Sequence, residues 1–218
     1  MPGFDDFINL LTIKVLLIAV FSASVSVVSL ANYARIPSRR LLGLSVAFLL
    51  LALDPLVELF FQLPILQVAG LTVLVGVFAG EVKDNSIQIG KPLILAAVVL
   101  VATSGLFWLG FEGTPEFTPF LLVQIGLGFI CSALVLTIIA FLISHHRKTG
   151  NRNALLVLIG FVFLFITNGV GQVWWMPFVS RTALDISGTT LIGIIYFVNI
   201  AGYVAFCIAI LKARVVRK

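Results

Sequence analysis

Seven stretches of this chain, at about residues 8 to 32, 41 to 62, 65 to 80, 92 to 110, 120 to 143, 153 to 176 and 190 to 211, run almost free of charge. A backbone crossing lipid must satisfy its own hydrogen bonds, and an α-helix of about 20 apolar residues does so across ~30 Å of hydrocarbon. The stretches therefore predict an all-α membrane protein, a seven-transmembrane-helix bundle that forms one integral domain over residues 1–218. Composition agrees: 61% of residues are hydrophobic and 11% charged, against about 25% charged in a soluble domain. The connections are too short to hold a soluble domain of their own.

The third stretch, Ile65 to Gly80, is the shortest. Pro64, which has no amide hydrogen, sets a hairpin between it and the second. The first span follows Met1 to Phe7, which carries Asp5 and Asp6 but no basic residue. A secretory leader needs a positive start, so this span is expected to be retained.

Charge placement orients the bundle. With the N-terminus outside, the inner loops hold Arg35, Arg39, Arg40, Lys83, Lys91, Arg147, Lys148 and Arg152, and the C-terminal tail holds Lys212, Arg214, Arg217 and Lys218. Only Arg181 falls in an outer segment and only Lys14 inside a span. This distribution follows the positive-inside rule and places the C-terminus in the cytoplasm of a multi-pass cell-membrane protein. A basic inner rim attracts anionic lipid head groups, about 1 kcal/mol per residue. The lipid bilayer, with no nucleic acid, is the partner this predicts. Trp108, Trp174 and Trp175 fall at outer span ends, where indoles favour the interface.

Ionisable groups inside hydrocarbon cost at least about 2.5 kcal/mol each and mark candidate sites. Asp54 and Glu58, four apart on span two, share one helical face, and Lys14 lies at nearly their depth on span one, so an ion pair from Lys14 to Asp54 or Glu58 is expected. Span six repeats the spacing with Asn168 and Gln172; span seven carries Tyr196, Asn199 and Tyr203, and Gln124 sits near the outer end of span five. Lys14, Asp54, Glu58, Asn168, Gln172 and Asn199 are therefore the ligand-binding candidates, bordering an outward-facing polar pocket. Small residues on the inner half, Ser22, Ser26 and Ser29 on span one and Gly76 with Gly80 on span three, predict close helix packing. Cys131 and Cys207 lie within spans and read as small packing residues.

An internal order recurs. Arg35 to Pro64 and Arg147 to Pro177 each run from a basic loop through a long apolar stretch to a polar pair four apart, then aromatics and proline. Matching Asp54 and Glu58 to Asn168 and Gln172 makes spans one to three and five to seven parallel repeats, with span four as a linker. Transporters, including small sugar carriers, use this 3+1+3 arrangement. The Pro-Gln dipeptide that marks those carriers does not occur in the sequence.

The segment Tyr33 to Phe61, a basic linker Arg35-Ile-Pro-Ser-Arg-Arg40 followed by a Leu/Ala/Phe helix, resembles the second span of small prokaryotic seven-helix sensor modules. The resemblance implies a module that senses a membrane or extracellular signal and hands it to a separate protein partner at the cytoplasmic loops. A receptor-like or sensory protein is the leading expectation. A small-solute transporter on the 3+1+3 repeat and a non-catalytic anchor subunit of a membrane complex are the alternatives.

Catalysis is not expected. The two histidines, His145 and His146, sit together at the inner end of span five, which leaves no buried bis-histidine haem site and no serine–histidine dyad within the membrane. The last span has no lysine to hold a retinal, and phosphate-loop, zinc-protease and dinucleotide fingerprints are missing. No cofactor and no metal are expected.

Overall fold

The computed structural model describes residues 4–61, 64–79, 119–167 and 188–215, and these are helical apart from short connections. Six helices are described: α1 (Phe4–Arg35), α2 (Arg39–Phe61), α3 (Ile65–Ala79), α4 (Pro119–Thr149), α5 (Arg152–Leu164) and α6 (Gly188–Val215). No strand occurs among the described residues. Expected and observed starts agree within four residues. α4 runs six residues beyond the expected end at 143, carrying His146, Arg147 and Lys148 in its last turn. Residues 165–167 continue α5 as a π turn. The stretch expected to cross at 92 to 110 lies outside the described residues.

Two short turns join the helices at the basic end. Between α1 and α2 the chain turns through Ile36, Pro37 and Ser38, and the Leu42 amide donates to the Ser38 carbonyl at 3.1 Å. Between α4 and α5, Gly150 takes a left-handed φ of 62° and its amide donates to His146 O at 2.8 Å. Only glycine adopts that backbone without strain, so it closes α4. Asn151 then caps α5, its side chain accepting from the Asn153 amide at 2.9 Å.

The helices close a ring: α1 packs on α2, α2 on α3, α3 on α4, α4 on α5, α5 on α6, and α6 back on α1. Directions follow from the contacts. α1 and α6 run parallel, because Lys14 meets Tyr196 and, further along both helices, Phe21 meets Cys207. α5 and α6 run antiparallel, with Thr167 on Asn199 at one level and Phe161 on Phe206 at another.

The ring is dressed for lipid. Its outward face is apolar along α1 (Ile13, Leu16, Val20, and Val27 at 64% exposure) and along α2 (Leu42, Val46, Leu49, Leu53, Leu56), with Phe197 at 73% on α6. A water-soluble helix shows the reverse pattern, polar side outward. Segments Thr12–Arg35, Arg39–Val57 and Gly126–Thr149 are long and apolar enough to cross a membrane. The chain is an all-helical membrane protein over its described residues.

Between helices, small residues bring backbones together. Ser22, Ser26, Ser29 and Ser45 are buried, and Ser26 donates to the Ser45 carbonyl at 2.7 Å. Gly70 of α3 sits where a Cβ would lie 3.0 Å from Ala47 O of α2. Gly76, the residue the spacing marks for packing, instead faces open space, and Gly80 lies outside the described residues. The described close approach of α3 to α2 is made through Gly70.

Candidate functional site

The described contacts of three sequence candidates each join a different helix pair. Lys14 is half-buried with Nζ 4.6 Å from the centroid of the Tyr196 ring, which links α1 to α6. Asp54, 5% exposed, accepts from the Gln67 amide at 2.8 Å, which links α2 to α3. Asn199, 3% exposed, donates through Nδ2 to Thr167 Oγ1 at 3.1 Å, which links α6 to the end of α5. The Glu58 side chain, Asn168, Gln172 and the side chain of Gln124 lie outside the described residues.

The Asp54 contact has a physical reason. Gln67 is the third residue of α3, and the first amides of a helix have no partner within it. A carboxylate placed there satisfies a donor and meets the positive end of the helix dipole. Asp54→Leu, which leaves that buried amide without its acceptor, is expected to cost about 1–3 kcal/mol, and Asp54→Asn, which keeps an oxygen, about half as much or less. Thermal melting in nanodiscs reads the difference. Equal losses would show that the amide contact is not what Asp54 contributes.

Lys14 over Tyr196 makes a cation–π pair worth about 0.5–2 kcal/mol. A double-mutant cycle of Lys14→Met and Tyr196→Leu should show coupling of that size. Additive losses would rule the pair out.

The same contacts recur in the two halves of the ring. Ala47 and Gly160 are separated by the same 113 residues as Asp54 and Thr167. On the partner helices, Gly70 and Gly202 stand at the same interval as Gln67 and Asn199. Gly70 faces Ala47 O at 3.0 Å, and Gly202 faces Gly160 O at 3.0 Å. At the matching places the bonds differ in kind: Asp54 accepts from the Gln67 backbone amide, and the Thr167 hydroxyl from the Asn199 side-chain amide. Burial follows the same register: Val15, Ile18, Ser22, Val25 and Ser29 of α1 are buried, as are Gly128, Cys131, Val135, Ile138 and Leu142 of α4 at the 113-residue interval. Asp54 and Thr167 thus hold matching places in these contacts, and Asn168, which the sequence spacing matches to Asp54, lies outside the described residues.

At the basic end the ring encloses a cavity of about 420 Å³. Phe48, Phe161, Phe206 and Leu74 form its floor, Leu44 and Val157 its walls. Phe206 stands at the centre of that floor, 5.6 Å from the Phe48 ring in a T-shaped contact and 4.8 Å from Phe161. Ser38, Arg40, His145, Asn151 and Asn153 stand toward the mouth. The lining comes in corresponding pairs: Ser38 with Asn151, Arg40 with Asn153, Leu44 with Val157 and Phe48 with Phe161 at one interval, Leu74 with Phe206 at the other. The cavity is therefore lined at matching sequence intervals by the two sets of helices. Lys14, Asp54 and Asn199 do not line it.

Among the described residues the lining contains no carboxylate, and no group of three or more metal-ligating side chains occurs. Its described lining is apolar along Leu44, Phe48, Leu74, Val157, Phe161 and Phe206, with polar side chains at Ser38, Arg40, His145, Asn151 and Asn153. Comparison with protein-family models, curated proteins and solved structures finds no match.

Proposed function

We propose that the chain is a multi-pass cell-membrane protein of seven spans, N-terminus outside, working as a small-solute transporter built from two parallel three-helix repeats around the axial cavity. The observation that carries this reading is the paired lining of the cavity. Transporters place their substrate path at the interface between repeats, and a parallel duplication puts that interface on an axis along the membrane normal.

Helix direction supports the seventh span. α1, α3, α4 and α6 all point their C-terminal ends toward the cavity, where Ser29, Phe78, His145 and Ala209 line it. α3 ends at that level and α4 begins at the opposite one, an arrangement that a further span between them would allow. The apolar stretch 92 to 110 is the segment of the right length. The positive-inside rule supports the orientation, because Arg35, Arg39, Arg40, Arg147, Lys148 and Arg152 gather at the cavity end.

The cavity lies at that basic end, where Ser38, Arg40, Asn151 and Asn153 line it. A receptor for an external signal would need its pocket at the other end over a packed inner half, and an anchor subunit would need none. The test is a swelling assay on proteoliposomes exposed to sugars, polyols, amino acids and carboxylates, with wild type and Phe48→Trp, which fills the floor. Uptake of one class, reduced at least about tenfold by the substitution, is the expected result. Uptake of none by folded wild type, alongside capture of a specific protein partner at the loops, would establish the sensory reading instead.

A further inference from the structure

The second helix of each half leaves the regular α-helical ladder at the same level. In α2 the break is chemical: Pro55 lies inside the helix and has no amide, so the Leu51 carbonyl loses its ordinary donor. In α5 the break is geometric. The helix passes at Phe165 into the π turn, where the Phe165 amide is shared between the Phe161 and Val162 carbonyls. The Thr167 hydroxyl donates there to Phe163 O at 3.0 Å and to Leu164 O at 3.3 Å. Leu51 and Leu164 stand at the 113-residue interval, one turn beyond Phe48 and Phe161 of the cavity floor. Sharp helix bends occur at proline and at π turns, and π turns are frequent at functional positions.

The two sides of the α2 break are held differently. Before it, α2 is clamped: a Cβ on Gly70 of α3 would lie 3.0 Å from Ala47 O, 3.1 Å from Leu51 Cγ and 3.4 Å from Leu50 Cβ. At the break, Asp54 accepts from the Gln67 amide, close to the pivot, where a swing displaces atoms least. Beyond it, Leu56 is exposed on the lipid side and Val57 is half-buried. We infer that α2 is hinged between Leu51 and Pro55, and that its segment from Pro55 to Phe61 swings outward to open the bundle, from the end opposite the basic loops, down to the phenylalanine floor. The missing ladder bond lowers the resistance to bending at that point, and a hinge needs only a few residues to absorb the change. The cavity at the basic end and this opening at the other would give a solute its two accesses in turn, a use of the hinge that rests on the transport reading.

The test places Leu51→Cys in the full chain with Cys131→Ala and Cys207→Ala, reconstitutes it in liposomes and applies a membrane-impermeant charged thiol reagent from the side opposite the basic loops. Leu51→Cys should react at least about tenfold faster than Ala47→Cys, fully buried before the break, because the rate of modification follows the open population. Adding Pro55→Ala, which returns the amide, should slow Leu51→Cys about tenfold. Should Pro55→Ala fail to fold, the comparison of Leu51→Cys with Ala47→Cys decides alone, and should Leu51→Cys fail to fold, Leu164→Cys takes its place. A cysteine at the break as protected as Ala47→Cys, or one that reacts as fast with Pro55→Ala as without it, would overturn the inference. A solute that crosses in the swelling assay while the cysteine at the break stays protected would remove the hinge and leave the transport reading. The expected reactivity with no solute crossing would leave the hinge and remove transport.

Discussion

Gly160→Val should lower the stability of the protein by about 3 kcal/mol or more, the upper end of what overpacking costs at a single core position. Gly160 faces α6 at a point where an added Cβ would meet the Phe206 ring and lie 2.9 Å from the Gly202 carbonyl oxygen. The ring could rotate, but the carbonyl is backbone, so α5 and α6 would have to move apart. That movement would also stretch the Asn199 to Thr167 hydrogen bond one layer away. In a bilayer nothing is gained by moving apolar surface from water between the spans, so close packing is a major part of what holds the helices together. Gly126→Ala and Gly193→Ala are the controls, because an added Cβ meets nothing within 4 Å at either position. They should be neutral or stabilising by up to about 1 kcal/mol through helix propensity. The melt can be read with a thiol-reactive fluorophore, since Cys131 is fully buried in the fold. Gly160→Val melting at the wild-type temperature would mean that α5 and α6 do not pack through this glycine.

The corresponding position gives an independent check on the duplication. Gly70→Val pushes against Ala47 O as a residue at Gly202 would push against Gly160 O, both from 3.0 Å. The two glycines should respond alike, and their effects should add, since they lie on different helix pairs.

Much of this architecture could be read from hydropathy and charge alone, because a bilayer imposes helices and basic residues gather at one set of helix ends. The helix starts at Arg39 and Arg152 fall within two residues of the apolar boundaries at 41 and 153. The register of the repeat did not follow. Polar pairs drew the match to Asn168, yet an ungapped interval was present in Arg39 with Arg152, Leu42 with Leu155, Phe48 with Phe161, Leu51 with Leu164 and Pro64 with Pro177. Those apolar matches carry little weight in a chain so rich in leucine and phenylalanine, until contacts at Gly70 and Gly202 fix which of them face the partner helix. The cavity was illegible for the same reason. Phe48 facing the axis and Phe197 facing lipid look identical in a sequence with 19 phenylalanines. Intramembrane charge did mark a buried position at Asp54, which accepts from the Gln67 backbone amide at the start of α3.

Phe206→Ala should have the largest effect of any single truncation at the site. The side chain is 2% exposed and stands among the rings of Phe48, Phe161 and Tyr203, the last with its centroid 6.0 Å away in a T-shaped contact. Removing a buried phenylalanine costs about 3–5 kcal/mol, and the part due to unfilled space persists in lipid, where the part due to transfer from water does not, so about 3 kcal/mol is expected. The void has a direction. It joins the floor of the cavity to the layer above, where Leu51 and Leu164 are each 2% exposed. In a background with Cys131→Ala and Cys207→Ala, Leu51→Cys should resist a charged thiol reagent applied from the basic side. With Phe206→Ala added, the same cysteine should react, whereas Phe206→Leu, which keeps most of the volume, should leave it protected. If Leu51→Cys reacts equally in all three backgrounds, Phe206 is not what closes the cavity from the interior of the bundle. If it stays protected in all three while Phe206→Ala still melts early, the phenylalanine holds the repeats together without separating two compartments, and the barrier a transporter needs on this side must be sought above Leu51.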